Sequence, residues 1–281
     1  MQRIWSQHAA CLGLLKGSKW AAPACPDDQI DYSPVTLPKP SIWAEQTFNF
    51  KPTKIQKTVL DAETQRLMLC CNRQWGKSSV TAIRALHYAI RHPNCTIVVV
   101  SFTEKQGGQL IDKVNNFARL AGLPDRRVRG YDYSLLLPNG AKIYAIAHSA
   151  DSAPSRTADI VIYDEAAKVS DKVFSATLPF IARTDGAVWM LSTPNGQTGF
   201  FYNFWHDKDP QWTRIKSSVD DCPDISKEFI QLHRRGAPQF FRQEFYCEFN
   251  PAPGRLVSRE RLQQMYDPEL NKRMLPPLVR K

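Results

Sequence analysis

The chain lacks several things that would have placed it quickly. No apolar run approaches the roughly 18 residues needed to cross a bilayer, so no membrane span is expected. Residues 9–15, AACLGLL, have one arginine before them and no convincing cleavage site after them, which excludes a strong secretory signal. The seven cysteines (11, 25, 70, 71, 95, 222 and 247) form no C-x-x-C pair and no cluster with the six histidines, which argues against a zinc site. Their odd count, and the adjacency of Cys70 and Cys71, fit free thiols in a reducing compartment. There is no internal repeat and no sustained heptad. Acidic residues are in deficit: Lys+Arg 37 against Asp+Glu 27 leaves +10, a balance that suits a polyanionic partner such as nucleic acid. What remains, 43% hydrophobic and 11% aromatic residues over 281 positions, is ample for a full-sized core.

Prolines cluster between Pro23 and Pro52 without periodicity, so residues 1–45 read as an irregular leader. From 46 onward strands and helices alternate. Residues 66–71 read as a strand, 78–91 as a helix, 96–101 as a buried strand and 104–121 as a helix. Residues 133–137 and 141–147 flank Asn139-Gly140, a hairpin signal. Short strands follow at 160–163, 187–192 and 212–216, with helices at 199–206, 227–236 and 238–247. This alternation predicts an α/β fold with a mostly parallel sheet covered on both faces.

The stretch CCNRQWGKSS at 70–79 follows an apolar strand and opens a helix. A tight loop feeding a helix N-terminus presents backbone N–H groups to an anion. Lys77 would reach the β- and γ-phosphates of a nucleotide, and Ser78 would hold Mg²⁺. Asn72, Arg73, Gln74, Trp75, Gly76 and Ser79 complete the expected loop. Cys71 stands where the usual GxxxxGK pattern has its first glycine, and Arg73 lies inside the loop. Downstream, IVIYDE at 160–165 is an apolar strand ending in two acids. Asp164 is placed to support the metal, and Glu165 to orient and deprotonate a water. LSTPNG at 191–196 again ends an apolar strand, with Ser192 and Thr193 as candidates for sensing the γ-phosphate. Gln56, ahead of the first strand, is a candidate contact to the adenine edge.

These segments, in this order, resemble the ATPase domain of large terminase subunits, the motors that pump DNA into phage and herpesvirus capsids. NRQWGKSS is similar to their deviant phosphate loop, IVIYDEAAKV to their acid-ending strand, and LSTPNG to their coupling motif. GFFYNFW at 199–205 and FFRQEFYCEF at 240–249 resemble the segments closing that domain. The resemblance implies a three-layer α/β/α P-loop NTPase of the additional-strand catalytic-Glu type, RecA- and helicase-like, with a small C-terminal lid. It implies ATP and Mg²⁺ as cofactors and Glu165 as general base. Ser192 and Thr193 would couple hydrolysis to movement. Arg73 in cis, or Arg156 reaching a neighbouring subunit, would supply transition-state charge; for Arg156 a structural or DNA-facing role is the alternative. Thr157 replaces the glycine usual after that arginine. Implied partners are double-stranded DNA, a portal protein, a small terminase subunit and sibling copies in a ring, in the bacterial host cytoplasm.

The expected organisation is leader 1–45, ATPase domain with lid 46–250, and a basic tail 251–281. After Phe249, Glu260, Asp267 and Glu269 lack a strand pattern to carry them, so no nuclease activity is expected here. That leaves an ATPase half, a split product or a prophage remnant. Another DNA-dependent ATPase or helicase, or an inactive remnant that binds nucleotide or portal, are the rival readings. A nucleotide kinase lacks a visible acceptor lid.

Overall fold

The computed structural model describes residues 36–124, 126–146, 156–222 and 225–250. Two helices, α1 (Pro40–Phe48) and α2 (Lys54–Leu60), precede the first strand, β1 (Arg66–Cys71). Then come α3 (Lys77–Arg91), β2 (Thr96–Ser101), α4 (Glu104–Leu120), β3 (Ser134–Leu136), β4 (Lys142–Ile146) and β5 (Ile160–Asp164). A 3₁₀ turn at Ala166–Lys168, α5 (Asp171–Thr177), β6 (Ala187–Ser192), α6 (Gly199–His206) and β7 (Thr213–Ser217) follow. The pair α7 (Lys227–Gly236) and α8 (Pro238–Tyr246) ends the described chain.

The seven strands form one sheet in the order β3-β4-β2-β5-β6-β1-β7. All pairings are parallel except the β3–β4 hairpin. Strand residues alternate between two cores because successive side chains point to opposite faces. Leu67, Leu69, Ile97, Val99, Ile160, Ile162, Trp189 and Leu191 pack on one face with α1, α3 and α4. Met68, Val98, Val100, Val161, Tyr163, Val188 and Met190 pack on the other with α5 and α6. This is the three-layer α/β/α arrangement. In it β6 lies between β1, which carries the phosphate loop, and β5, which ends in the two acids. That inserted strand is the additional strand of the expected class. A third, small core of Val219, Phe241 and Phe245 holds α7 and α8 together as the lid.

The N-terminal expectation needs correction. Proline content suggests an irregular leader over 1–45, but Pro40–Phe48 is a helix whose Trp43 and Ala44 are buried in the main core. Pro40 sits in the first helical turn, where a missing N–H costs nothing. Helix α2 is also absent from the sequence expectation, although Thr53 and Gln56 form a capping box at its start. Residues 1–35 and the expected basic tail at 251–281 lie outside the described residues.

Candidate functional site

The site is built at the C-terminal ends of β1, β5 and β6. Backbone geometry prepares the loop: Gln74 and Gly76 both have positive φ, 65° and 91°. Gly76 then caps α3 from the left-handed region, and a Cβ built there would stand 3.3 Å from Gln56 Nε2. Trp75 is buried in the core and anchors the middle of the loop. Asn72 is buried and donates through Nδ2 to the Arg73 carbonyl at 2.7 Å. Cys71 is fully buried under the loop. Burial pushes its thiol above the ordinary range, so it acts as an apolar filler and not as a nucleophile.

Lys77 is 9% exposed and folds back over the loop. Its Nζ donates to the carbonyls of Cys71 (3.1 Å) and Asn72 (3.0 Å) and to Thr193 Oγ1 (3.2 Å). Thr193 Oγ1 in turn donates to the Cys71 carbonyl at 3.2 Å. The tip of β6 is thus tied to the phosphate loop. The preceding residue is tied the other way: Ser192 Oγ accepts from the Ala167 amide at 3.1 Å, in the turn that carries Glu165. Asn195 Nδ2 reaches the Ala167 carbonyl at 3.4 Å. Adjacent hydroxyls on one strand end therefore hold the lysine loop and the acid turn.

Asp164 is 7% exposed and accepts from the Glu165 amide at 3.1 Å. Its carboxyl is pushed up to about 7, first by burial and then by the neighbouring Glu165, while Lys77 opposes the shift. Ser101, its register partner on β2, keeps a buried hydroxyl without a hydrogen-bond partner. A buried carboxylate at the strand end beside the phosphate loop is a hard oxygen donor of the kind Mg²⁺ takes. Glu165 takes a left-handed conformation, φ 52°, which turns it off the strand end. Lys168 Nζ stands 3.7 Å from its carboxylate.

Arg73, Gln74, Trp75, Gly76, Lys77, Ser78, Ser79, Glu165 and Thr193 all line one cavity of about 740 Å³. Sequence reasoning missed other groups on its wall: Lys113, Lys168, Phe240, Gln243 and Glu244. Lys113 reaches across from α4 and donates to Ser79 Oγ at 3.2 Å. No local pattern marks it, because it is one lysine on the polar side of an amphipathic helix. The lid residues lie within the 240–249 segment already singled out, but their direction is a tertiary matter.

Five candidate residues do not line that cavity: Asn72, Asp164 and Ser192 are buried at the strand ends, and Gln56 and Arg156 are engaged elsewhere. Gln56 spends both ends of its amide on the backbone: Nε2 donates to the Trp75 carbonyl (2.8 Å), and Oε1 accepts from the Thr53 amide (2.9 Å). In this state it braces the loop. Arg156 does not line the cavity; its guanidinium lies over the Tyr131 ring, 5.4 Å from the centroid, on the β3–β4 side of the sheet. A second cavity, about 650 Å³, opens at the opposite end of the strands around Arg84, His87, Asp159 and Trp189, and holds none of the expected site residues. Among the described residues no helix is long and apolar enough to cross a membrane.

Comparison with known proteins agrees with this fold. The large terminase subunit of Escherichia phage T5 is 28% identical over 240 residues, spanning 82% of this chain and 55% of that protein. The large terminase subunit of Thermus virus P23-45 is also 28% identical, over 250 residues, spanning 75% of this chain and 51% of that protein. The chain therefore spans about half the length of the curated relatives it matches. In fold, the large terminase ATPase domain of Thermus phage P74-26 superposes with a TM-score of 0.64 at 23% identity, covering 76% of this chain and all of that one. The ADP complex of a large terminase from a thermophilic bacteriophage superposes with a TM-score of 0.61 at 16% identity, covering 70% of this chain and 53% of that one. The family model for the N-terminal part of the T4likevirus-type terminase large subunit matches residues 68–264, and the chain belongs to that family.

Proposed function

We propose that this chain binds ATP in the 740 Å³ cavity and hydrolyses it to drive double-stranded DNA into a phage capsid. The observation that carries the reading is the hydroxyl pair on β6. Thr193 touches the phosphate-loop lysine, and Ser192 touches the turn that holds Glu165, so a change at the phosphates is felt at the base and at the strand between them. The thermophilic-phage large terminase has been captured with ADP and with ATP-γ-S, which supports the nucleotide assignment.

Lys77 leaves the loop carbonyls for the β- and γ-phosphates when nucleotide enters, an exchange of dipoles for full charges. Ser78 and Asp164 are the residues that would hold Mg²⁺, which when bound neutralises phosphate charge. Glu165 orients a water and takes its proton as the water oxygen attacks the γ-phosphorus. The β–γ bridging oxygen leaves with the electron pair. Arg73 answers the charge that builds in that transition state, a contribution of roughly 10³–10⁵ in rate where such arginines operate. Gln56 reads the adenine edge by giving up one of its backbone bonds. DNA, a portal ring, a small terminase subunit and sibling copies are the proposed partners, and the host cytoplasm the proposed site of action. The ATPase unit with its lid is placed at residues 46–250.

The test separates binding from chemistry. Lys77→Ala should lose nucleotide binding by equilibrium fluorescence titration. Glu165→Gln should bind ATP as the wild type does and lose roughly 10²–10⁴ in turnover. Wild-type turnover by the Glu165 variant would remove it from the role of base.

A further inference from the structure

Arg73 does not point freely into the cavity. Its Nη2 is paired with Glu244 Oε1 on α8 at 2.9 Å, and its backbone N–H donates to the Glu244 carbonyl at 3.1 Å. The second carboxylate oxygen of Glu244 takes a bond from His233 Nε2 on α7 at 3.0 Å. One carboxylate therefore joins the phosphate loop to both lid helices. The Arg73 side chain is 61% exposed while that of Glu244 is 15% exposed. The arginine end of the pair is wet and exchangeable, and the glutamate end is held. No residue of α7 is buried, and the lid core is only Val219, Phe241 and Phe245 with a few partly covered neighbours. A unit so thinly packed opens at low cost.

We propose that Glu244 is a positioning residue for the hydrolysis reaction: it holds the Arg73 guanidinium while the cavity is empty of nucleotide, and the γ-phosphate takes the arginine from it. The proposal rests on the reading of Arg73 as the transition-state cation. The guanidinium cannot give the same N–H groups to two anions. A γ-phosphate carries more charge than a carboxylate and offers more acceptor oxygens, so it wins the exchange. The backbone bond from Arg73 to the Glu244 carbonyl does not depend on the side chain. The lid then pivots at that point and stays attached. With the Arg73 side-chain pair gone, Glu244 keeps His233, and the tie between the lid helices and the phosphate loop falls from two bonds to one. Triphosphate occupancy is thereby converted into freedom of α7.

Hydrogen exchange of the α7 amides, read on the whole chain with and without ATP-γ-S, tests this against turnover. In wild type the analogue should speed α7 exchange by about tenfold while β1 and β6 stay protected. Glu244→Gln keeps the shape and removes the charge. It should show the fast α7 exchange without nucleotide and no further response to the analogue. Arg73→Ala should show the same fast exchange but lose turnover by roughly 10³. Slow, wild-type α7 exchange in nucleotide-free Glu244→Gln would overturn the proposal. Wild-type turnover in Arg73→Ala would instead overturn the underlying role of the arginine, and the exchange data would still judge the latch.

Discussion

Single residues carry most of the chemistry, and one of them carries a pH-dependent part of the stability. His87 lies on α3, 3% exposed, with Nε2 donating to the Pro38 carbonyl at 2.8 Å and its ring edge-on to Trp43. Burial lowers its pKa to about 4, with Arg91 adding to the shift against the Pro38 bond and Asp61. The unfolded value is near 6.5, so the unfolded chain takes up the proton first. The contribution is complete above about pH 6.5 and declines as pH falls toward 4. Denaturant unfolding of wild type and His87→Gln across that range should diverge by about 2–3 kcal/mol, the wild type losing stability more steeply. Parallel curves would place the proton elsewhere. The same scale shows what a motif can and cannot say. Lys77, Ser78 and Glu165 are singled out by their places at strand ends, and the structure brings all three to one cavity. Gln56 reads as an adenine contact, yet Thr53-x-x-Gln56 is also a capping box in plain view, and the structure uses both ends of its amide on backbone.

At the scale of elements, apolar runs and turn residues locate the strands well. Strands at 66–71, 96–101 and 187–192 coincide with β1, β2 and β6, because a buried parallel strand is a short apolar run with sharp ends. Helices α1, α2 and α5 escape the sequence reading, being short and lying beside proline or turn residues that mask a helical period. Helix α4 shows why a glycine pair sits inside a helix that intrinsic propensity disfavours. A Cβ at Gly107 would meet Ala145 Cβ at 3.1 Å, and one at Gly108 would meet the Tyr133 ring, with Cγ at 2.8 Å. The glycines let the helix lie close on the hairpin. Gly108→Ala gains about 1 kcal/mol of helix propensity. Overpacking costs about 1–3 kcal/mol in such places. Thermal unfolding should therefore show net destabilisation, and pairing the change with Tyr133→Ala should remove the steric share of it.

For the whole molecule, the sheet order decides which residues meet. Since β6 stands between β1 and β5, the Ser192–Thr193 hydroxyls bridge two motifs nearly ninety residues apart in sequence. The same order places Arg156 with Tyr131 and Tyr144 on the β3–β4 side, away from the cavity that holds Lys77. An arginine so placed serves another subunit's nucleotide or none. Mixing Arg156→Ala with Lys77→Ala chains should restore ATP turnover if it acts in trans, since each chain supplies what the other lacks. Co-assembly by light scattering without recovered turnover would leave Arg73 as the catalytic arginine.

The sequence alone determined the strand and helix pattern of the ATPase core, the phosphate loop, the acid pair and the hydroxyls after β6, because each is a run of neighbours with a local physical signature. Only the tertiary structure decided that β6 separates β1 from β5, that Lys113 overlooks Ser79, and that Glu244, itself bonded by His233, holds Arg73. Periodicity states which face of an element is buried and is silent on what covers it. The residues that complete this site come from a helix flank and a lid, where one more lysine or glutamate looks like any solvated charge until the chain closes around it.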